Sequence, residues 1–252
     1  MKKPILFGLA ALLSMSFGGA QAIPVDVELA LLVDVSGSVD STEYALQKQG
    51  YVNAFNDPAI QGLIGGLPNG IAVTYIEWSG SLEQSQLVPW TLITDAASAS
   101  TFATAINGTT RAFSGFTAPG SAINYTAPLF SGNGYEGARW VIDVSGDGQE
   151  NSGATTSTAR DAFLTTITAG EGLTKLINGL PIGTNTLLTW YQNNVQGGPG
   201  SFSILANNFT DFGNAVKTKI QREITTVPEP ATAALFSLGL AGLGFRQRKT
   251  RV

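Results

Sequence analysis

The run Val27-Glu28-Leu29-Ala30-Leu31-Leu32-Val33 is almost continuously apolar, the pattern of a strand buried on both faces. Gly70 to Trp78 predicts a second strand, and Gln86 to Ile93 a third, which Pro89 assigns to a sheet edge because proline cannot donate to a ladder. Between the first two, Asp40-Ser41-Thr42-Glu43 reads as a helix start, with Glu43 three residues beyond an Asp40 cap, and leads into a helix over Tyr44 to Phe55. Thr94 or Asp95 opens a helix from Ala96 to Ile106. A Gly- and Thr-rich loop, Asn107 to Ala118, precedes a helix that Pro119 starts and that is expected to reach Phe130. Arg139 to Val144 predicts a central strand, Gly146 to Asn151 a loop at its carboxyl end, and Thr158 to Ala169 a helix. Two further pairs follow: strands at Leu176 to Ile182 and Gly200 to Ala206, with helices at Asn185 to Asn194 and Thr210 to Glu223. Strands alternating with helices predict an α/β fold, a doubly wound and mostly parallel sheet with helices on both faces and one antiparallel edge strand.

The two ends break this alternation. Met1 to Ala22 carries Lys2 and Lys3, an apolar stretch from Ile5 to Phe17 and a small-x-small site, Ala20-Gln21-Ala22, so residues 1–22 read as a secretory signal peptide rather than a membrane anchor. The globular part is then expected over residues 23–226, as one domain. At the other end, Val227-Pro228-Glu229-Pro230 is followed by the apolar stretch Ala231 to Phe245 and by Arg246, Arg248, Lys249 and Arg251. As a helix that stretch reaches only ~22 Å, short of a ~30 Å hydrocarbon core. Residues 227–252 resemble the PEP-CTERM sorting tail of exported Gram-negative proteins. The resemblance implies recognition by an exosortase, transient tethering in the inner membrane by a transmembrane helix, and delivery to the cell surface or extracellular matrix. A plain C-terminal anchor is the alternative.

Composition narrows the chemistry. The chain has no cysteine and no histidine, which removes disulfides, Ser-His-Asp and Cys-His catalysis, and ordinary structural zinc sites. Residues 23–226 hold 17 acidic against 8 basic side chains, a formal net charge of −9. A domain so acidic repels nucleic acid and anionic lipid, and suits cations or cation-bridged partners.

The candidate chemistry lies where the first strand ends. Asp34-Val35-Ser36-Gly37-Ser38 offers a carboxylate and two hydroxyls within five residues, a set of hard oxygen donors suited to a divalent cation, at the edge where α/β sheets build ligand sites. Taken alone, the serines read equally well as caps of the following helix. Two further strand-to-helix connections contribute: Thr117 in Thr117-Ala118-Pro119-Gly120-Ser121, and Asp147 in Ser145-Gly146-Asp147-Gly148. Thr109 and Thr110 lie in the same loop as Thr117, and Asp143 on the strand is a candidate acceptor behind the site.

Together these residues resemble a von Willebrand factor type A (VWA) domain with its metal-ion-dependent adhesion site (MIDAS), over about residues 25–224. The resemblance implies a Rossmann-like fold and metal ligation by Asp34, Ser36, Ser38, Thr117 and Asp147. The cation is expected to be Mg²⁺, with Mn²⁺ or Ca²⁺ as alternatives. The family's binding mode further implies a protein or matrix partner offering a carboxylate, and no catalysis. Two other functions fit the composition. One is an extracellular scaffold in which the metal only holds loops. The other is a Mg²⁺-dependent phosphatase of the haloacid dehalogenase type, which needs a second acid where this chain has Ser36 and a lysine that has no candidate after the central strand.

Overall fold

The computed structural model describes residues 21–166 and 173–225. The expected tail and all but the last two residues of the expected signal peptide lie outside them. The elements run β1 (Ile23–Val25), β2 (Val27–Asp34), α1 (Ser41–Phe55), α2 (Pro58–Gly65), β3 (Ile71–Trp78), β4 (Gln84–Ile93), α3 (Ala96–Asn107) and α4 (Pro119–Thr126), which a 3₁₀ turn extends over Ala127–Phe130. Then follow β5 (Tyr135–Gly137), β6 (Arg139–Gly146), α5 (Thr156–Thr165), β7 (Thr174–Pro181), α6 (Asn185–Asn194) and α7 (Phe212–Thr225).

The main sheet has the order β4-β3-β2-β6-β7, parallel throughout except for β4, and β1 pairs with β5 in a small parallel ladder. Pro89 indeed sits in the antiparallel edge strand, where the register shifts between Val73 and Ile76. β2, with neighbours on both sides, alternates its side chains between two cores. Leu29, Leu31 and Val33 pack with Tyr51, Phe55, Phe102, Phe212 and Ile220 on one face; Ala30 and Leu32 pack with Ile123, Ile142, Val144, Phe163 and Tyr191 on the other. Helices α1, α2, α3 and α7 cover the first face and α4, α5 and α6 the second, which is the doubly wound arrangement expected. Gly50 lets α7 lie close on α1, since a Cβ there would be 2.7 Å from a Phe212 ring carbon.

Three expectations need correction. Gly200 to Ala206 forms no strand: Gly198 and Gly200 take φ of +91° and +74°, and the segment's ladder pairing is limited to isolated bridges, Ser203 with Gly179 of β7 and Ala206 with Ile182 just beyond it. The helix expected to end at Phe130 closes at Thr126 and tightens into the 3₁₀ turn at Pro128, whose ring prevents a regular i→i−4 bond. The helix after β6 starts at Thr156, and its expected end at Ala169 lies outside the described residues. Three elements lie outside the expected pattern: α2, which Asp57 caps with Pro58 as its first residue, and the short β1 and β5.

Candidate metal centre

The parallel strands β2 and β6 end side by side, so the loops that follow them are neighbours. After β2 the chain folds on itself because Asp34 Oδ1 accepts the Ser36 N–H at 2.7 Å. The Ser36 and Ser38 hydroxyls then lie 3.1 Å apart, and Ser38 Oγ donates to Asp147 Oδ1, beyond β6, at 2.7 Å. The serines are free of capping duty. Asp40 caps α1, accepting the N–H groups of Thr42 and Glu43, while Glu43 closes the reciprocal bond to the Asp40 N–H.

Thr117 arrives on the third loop, between α3 and α4. Its backbone is clamped from both sides by Asn151, whose Oδ1 accepts the Thr117 N–H at 2.8 Å and whose N–H donates to the Thr117 carbonyl at 2.9 Å. This sets Thr117 against the Asp147-Gly148 turn: a Cβ on Gly148 would lie 3.5 Å from Thr117 Oγ1. All five candidate residues therefore converge, Asp34, Ser36 and Thr117 buried and Ser38 exposed. Thr109 turns away; its hydroxyl bonds to the Ile106 carbonyl at the end of α3.

Residues that the sequence reading did not single out tie these loops together. Arg111 Nη2 donates to the carbonyls of Val35 and Ser36 at 2.9 and 2.8 Å, and Arg111 Nε to that of Phe113. Glu77, at the end of β3, accepts the Ala112 N–H at 2.8 Å and the Tyr44 hydroxyl at 2.9 Å. The Gly37 N–H donates to the Gly115 carbonyl at 2.8 Å. Glu77 was signalled by being the one charged residue of its strand; Arg111, in a Gly- and Thr-rich loop, gave no such signal.

Asp143 is not behind this site, contrary to expectation. Lying two residues before Ser145 on the same face of β6, it pairs with Lys219 of α7 at 2.5 Å, deep in the first core.

The centre is electrostatically unfinished. Asp34 is wholly buried; burial, with the negative Asp147 nearby, pushes its carboxyl up to about 7 even though it accepts bonds from Ser36. Its Oδ2 has no hydrogen-bond partner. The Tyr191 hydroxyl, also buried without a partner, approaches the same point: a Cβ on Gly146 would meet Asp34 Oδ2 at 2.6 Å and Tyr191 Oη at 2.8 Å. An orphaned carboxylate oxygen beside a second carboxylate and three hydroxyls is a donor set that fits a hard divalent cation. No group of three or more acidic, His or Cys side chains gathers among the described residues, so such a cation would rest on two carboxylates and neutral oxygens.

A family model described as a protein of unknown function, DUF1194, matches residues 24–228, and one for the PEP-CTERM protein-sorting motif matches residues 226–249. No curated protein matches the chain. Solved structures similar to it include proximal thread matrix protein 1 from the mussel byssus, with a TM-score of 0.59 at 16% identity over 81% of this chain and 50% of that one. A structure of the same byssus protein with a zinc-occupied MIDAS motif gives a TM-score of 0.56 at 16% identity over the same shares. The PilB minor pilin from Streptococcus sanguinis gives 0.55 at 13% identity over 82% of this chain and 64% of that one. At such identities the likeness establishes a shared VWA-like fold, and the chain spans about half the length of the byssus protein.

Proposed function

The chain belongs to the DUF1194 family, and from its oxygen-lined centre we propose that it is an exported, noncatalytic interaction module that grips an acidic group of its partner through a divalent cation. The observation that carries this reading is Asp34 Oδ2, a buried carboxylate oxygen without a partner at the point where three loops meet. Leaving such a group unpaired costs several kcal/mol, on the order of 3 or more, and no base among the described residues bonds to it.

In this reading Asp34 and Asp147 supply charge, while Ser36, Ser38 and Thr117 supply neutral oxygens. Mg²⁺ suits that set, with Mn²⁺ or Ca²⁺ as alternatives. The bound cation would offer an electrophilic position to a carboxylate from outside. Arg111, Glu77 and Asn151 hold the loops in place by direct hydrogen bonds, so the ligand set is organised in advance. That also weighs against a cation serving only as a loop staple, since the protein already makes the staples.

The noncatalytic part rests on the absence of histidine and cysteine and on Ser36 standing where a phosphatase of the haloacid dehalogenase type needs its second acid. Lys175 is no substitute for that enzyme's lysine, because its Nζ bonds to the Phe163 and Thr166 carbonyls near the start of β7. The PEP-CTERM motif marks the chain for export to the cell envelope. Exosortase processing and display on the surface or in the matrix complete the proposal. Among the described residues no helix is long and apolar enough to cross a membrane.

The test is retention on immobilised polyglutamate with Mg²⁺ or with chelator. Retention that needs the cation and disappears in Asp147→Ala supports the reading. Equal retention in chelator, or none in either, would refute it.

A further inference from the structure

The second buried acid cluster lies under α7. Asp143 of β6 and Lys219 of α7 are both fully buried, with Lys219 Nζ 2.5 Å from Asp143 Oδ1. Glu223, one helical turn on and also buried, has Oε1 2.6 Å from the same Nζ. Asn178 of β7 fixes that carboxylate by donating Nδ2 to Glu223 Oε1 at 2.8 Å, and is itself held by the Phe202 N–H on its Oδ1. Arg139 Nη1 donates to the Glu223 main-chain carbonyl, and its charge acts on the Glu223 side chain. The Phe202 ring covers the lysine, its centroid 5.9 Å from Nζ. Neither oxygen of Asp143 has a hydrogen-bond partner, so the Lys219 contact is close but is not aligned as a hydrogen bond.

A primary amine, a carboxyl group and a second carboxylate touching the amine, all shielded from water, are the parts needed to make an amide. We propose that Lys219 and Asp143 join in an intramolecular isopeptide bond, with Glu223 moving the protons. The reaction begins with transfer of a proton from the Lys219 ammonium to the Asp143 carboxylate 2.5 Å away, which leaves a free amine and a carboxylic acid in contact. Consistent with this, burial raises the Asp143 carboxyl to about 7 against the opposing pull of Lys219. The Lys219 Nζ lone pair then attacks Asp143 Cγ. As the C–N bond forms, Glu223 takes a proton from the nitrogen and returns it to the departing hydroxyl, so the C–O bond breaks and one water leaves. No oxidant or cofactor enters the balance. Holding the two groups in contact supplies a high effective concentration, which for well-oriented pairs reaches about 10⁵ M or more.

The position gives the bond a use. Helix α7 ends at Thr225, and the matched sorting motif begins at residue 226, so tension on a tethered tail enters the fold through α7. An amide to the central strand β6 would stop that helix from peeling away in a chain that has no cysteine with which to form a disulfide.

The experiment is tandem mass spectrometry of a tryptic digest of protein expressed from the full sequence. Intact mass alone does not decide, because Asp147-Gly148 could lose a water by cyclising. The expected result is a branched species joining the peptide of residues 140–160 to that of residues 218–222, lighter than their sum by one water and uncut after Lys219. In Glu223→Gln the peptide of residues 140–160 is expected unbranched, with cleavage after Lys219. Recovery of residues 140–160 unbranched at full mass together with cleavage after Lys219 in the wild-type protein would overturn the proposal, and so would a branch at Asn178 with loss of ammonia.

Discussion

Two aspartates buried to the same degree, Asp34 and Asp143, sit in opposite surroundings. Burial lifts both carboxyls to about 7, yet the groups that answer the charge differ. Asp143 is met from within the fold by Lys219, with Glu223, Asn178 and Arg139 completing a network of two acids and two bases. Asp34 is met by no base: Ser36 donates its N–H to Oδ1, the Ser36 hydroxyl and the Asp147 main chain lend further favourable dipoles, and the Asp147 carboxylate adds repulsion. A raised carboxyl alone therefore does not mark a binding site. What sets Asp34 apart is a buried carboxylate oxygen that has neither a hydrogen-bond partner nor a paired base among the described residues, where three loops meet.

The comparison can be broken in order of expected effect. Replacing Lys219 with Met removes the amine, whether paired with Asp143 or joined to it as the proposed amide, and leaves Asp143 and Glu223 buried without it; this should cost about 3–5 kcal/mol or more, read as a lower midpoint in urea unfolding. At the other cluster, Mg²⁺ at 100 times its Kd should stabilise the wild-type protein by about 2.7 kcal/mol, and thermal unfolding of Asp147→Ala should show no shift with Mg²⁺. Gly146→Ala tests the same site without removing a ligand. Its Cβ would press on Asp34 Oδ2 at 2.6 Å, and cation affinity by calorimetry should fall about 10–100-fold.

Glu28 supplies the smallest and sharpening case, a buried acid answered by neutral donors alone. It accepts from Asn133 Nδ2, the Gly137 N–H and Trp140 Nε1, and burial still holds its carboxyl above the ordinary range. A raised acid binds more protons folded than unfolded, so its contribution is full below the ordinary carboxylate pKa of about 4.3 and declines as pH rises through the raised value. Glu28→Gln should flatten that part of the stability profile, measured by urea midpoints from acid to neutral pH.

Much of this was legible in the chain. The strand at Val27 to Val33, the Asp40–Glu43 cap and the Pro89 edge strand follow from local pattern, because each is set by neighbours in sequence. Of the five candidates, Asp34, Ser36, Ser38 and Asp147 could be placed together because they lie at the carboxyl ends of β2 and β6; Thr117, expected after a strand, sits instead on the loop that joins helices α3 and α4. Contacts distant in sequence were not. Arg111 reaches loop carbonyls 75 and 76 residues away, and Asp143 looked like part of the site until α7 brought Lys219 across to it. The stretch after Pro199 looked like a strand from composition, but its glycines take left-handed turns that interrupt pairing.

The most direct measurement is a calorimetric titration of chelator-stripped protein with Mg²⁺ and with Mn²⁺, alongside Asp34→Asn and Asp147→Ala. Saturable binding at one site in the wild-type protein, lost in both variants, is the result this account predicts. No saturable binding in the wild-type protein, or equal affinity in the variants, would contradict it and leave the three loops as a hydrogen-bonded turn cluster without a cation.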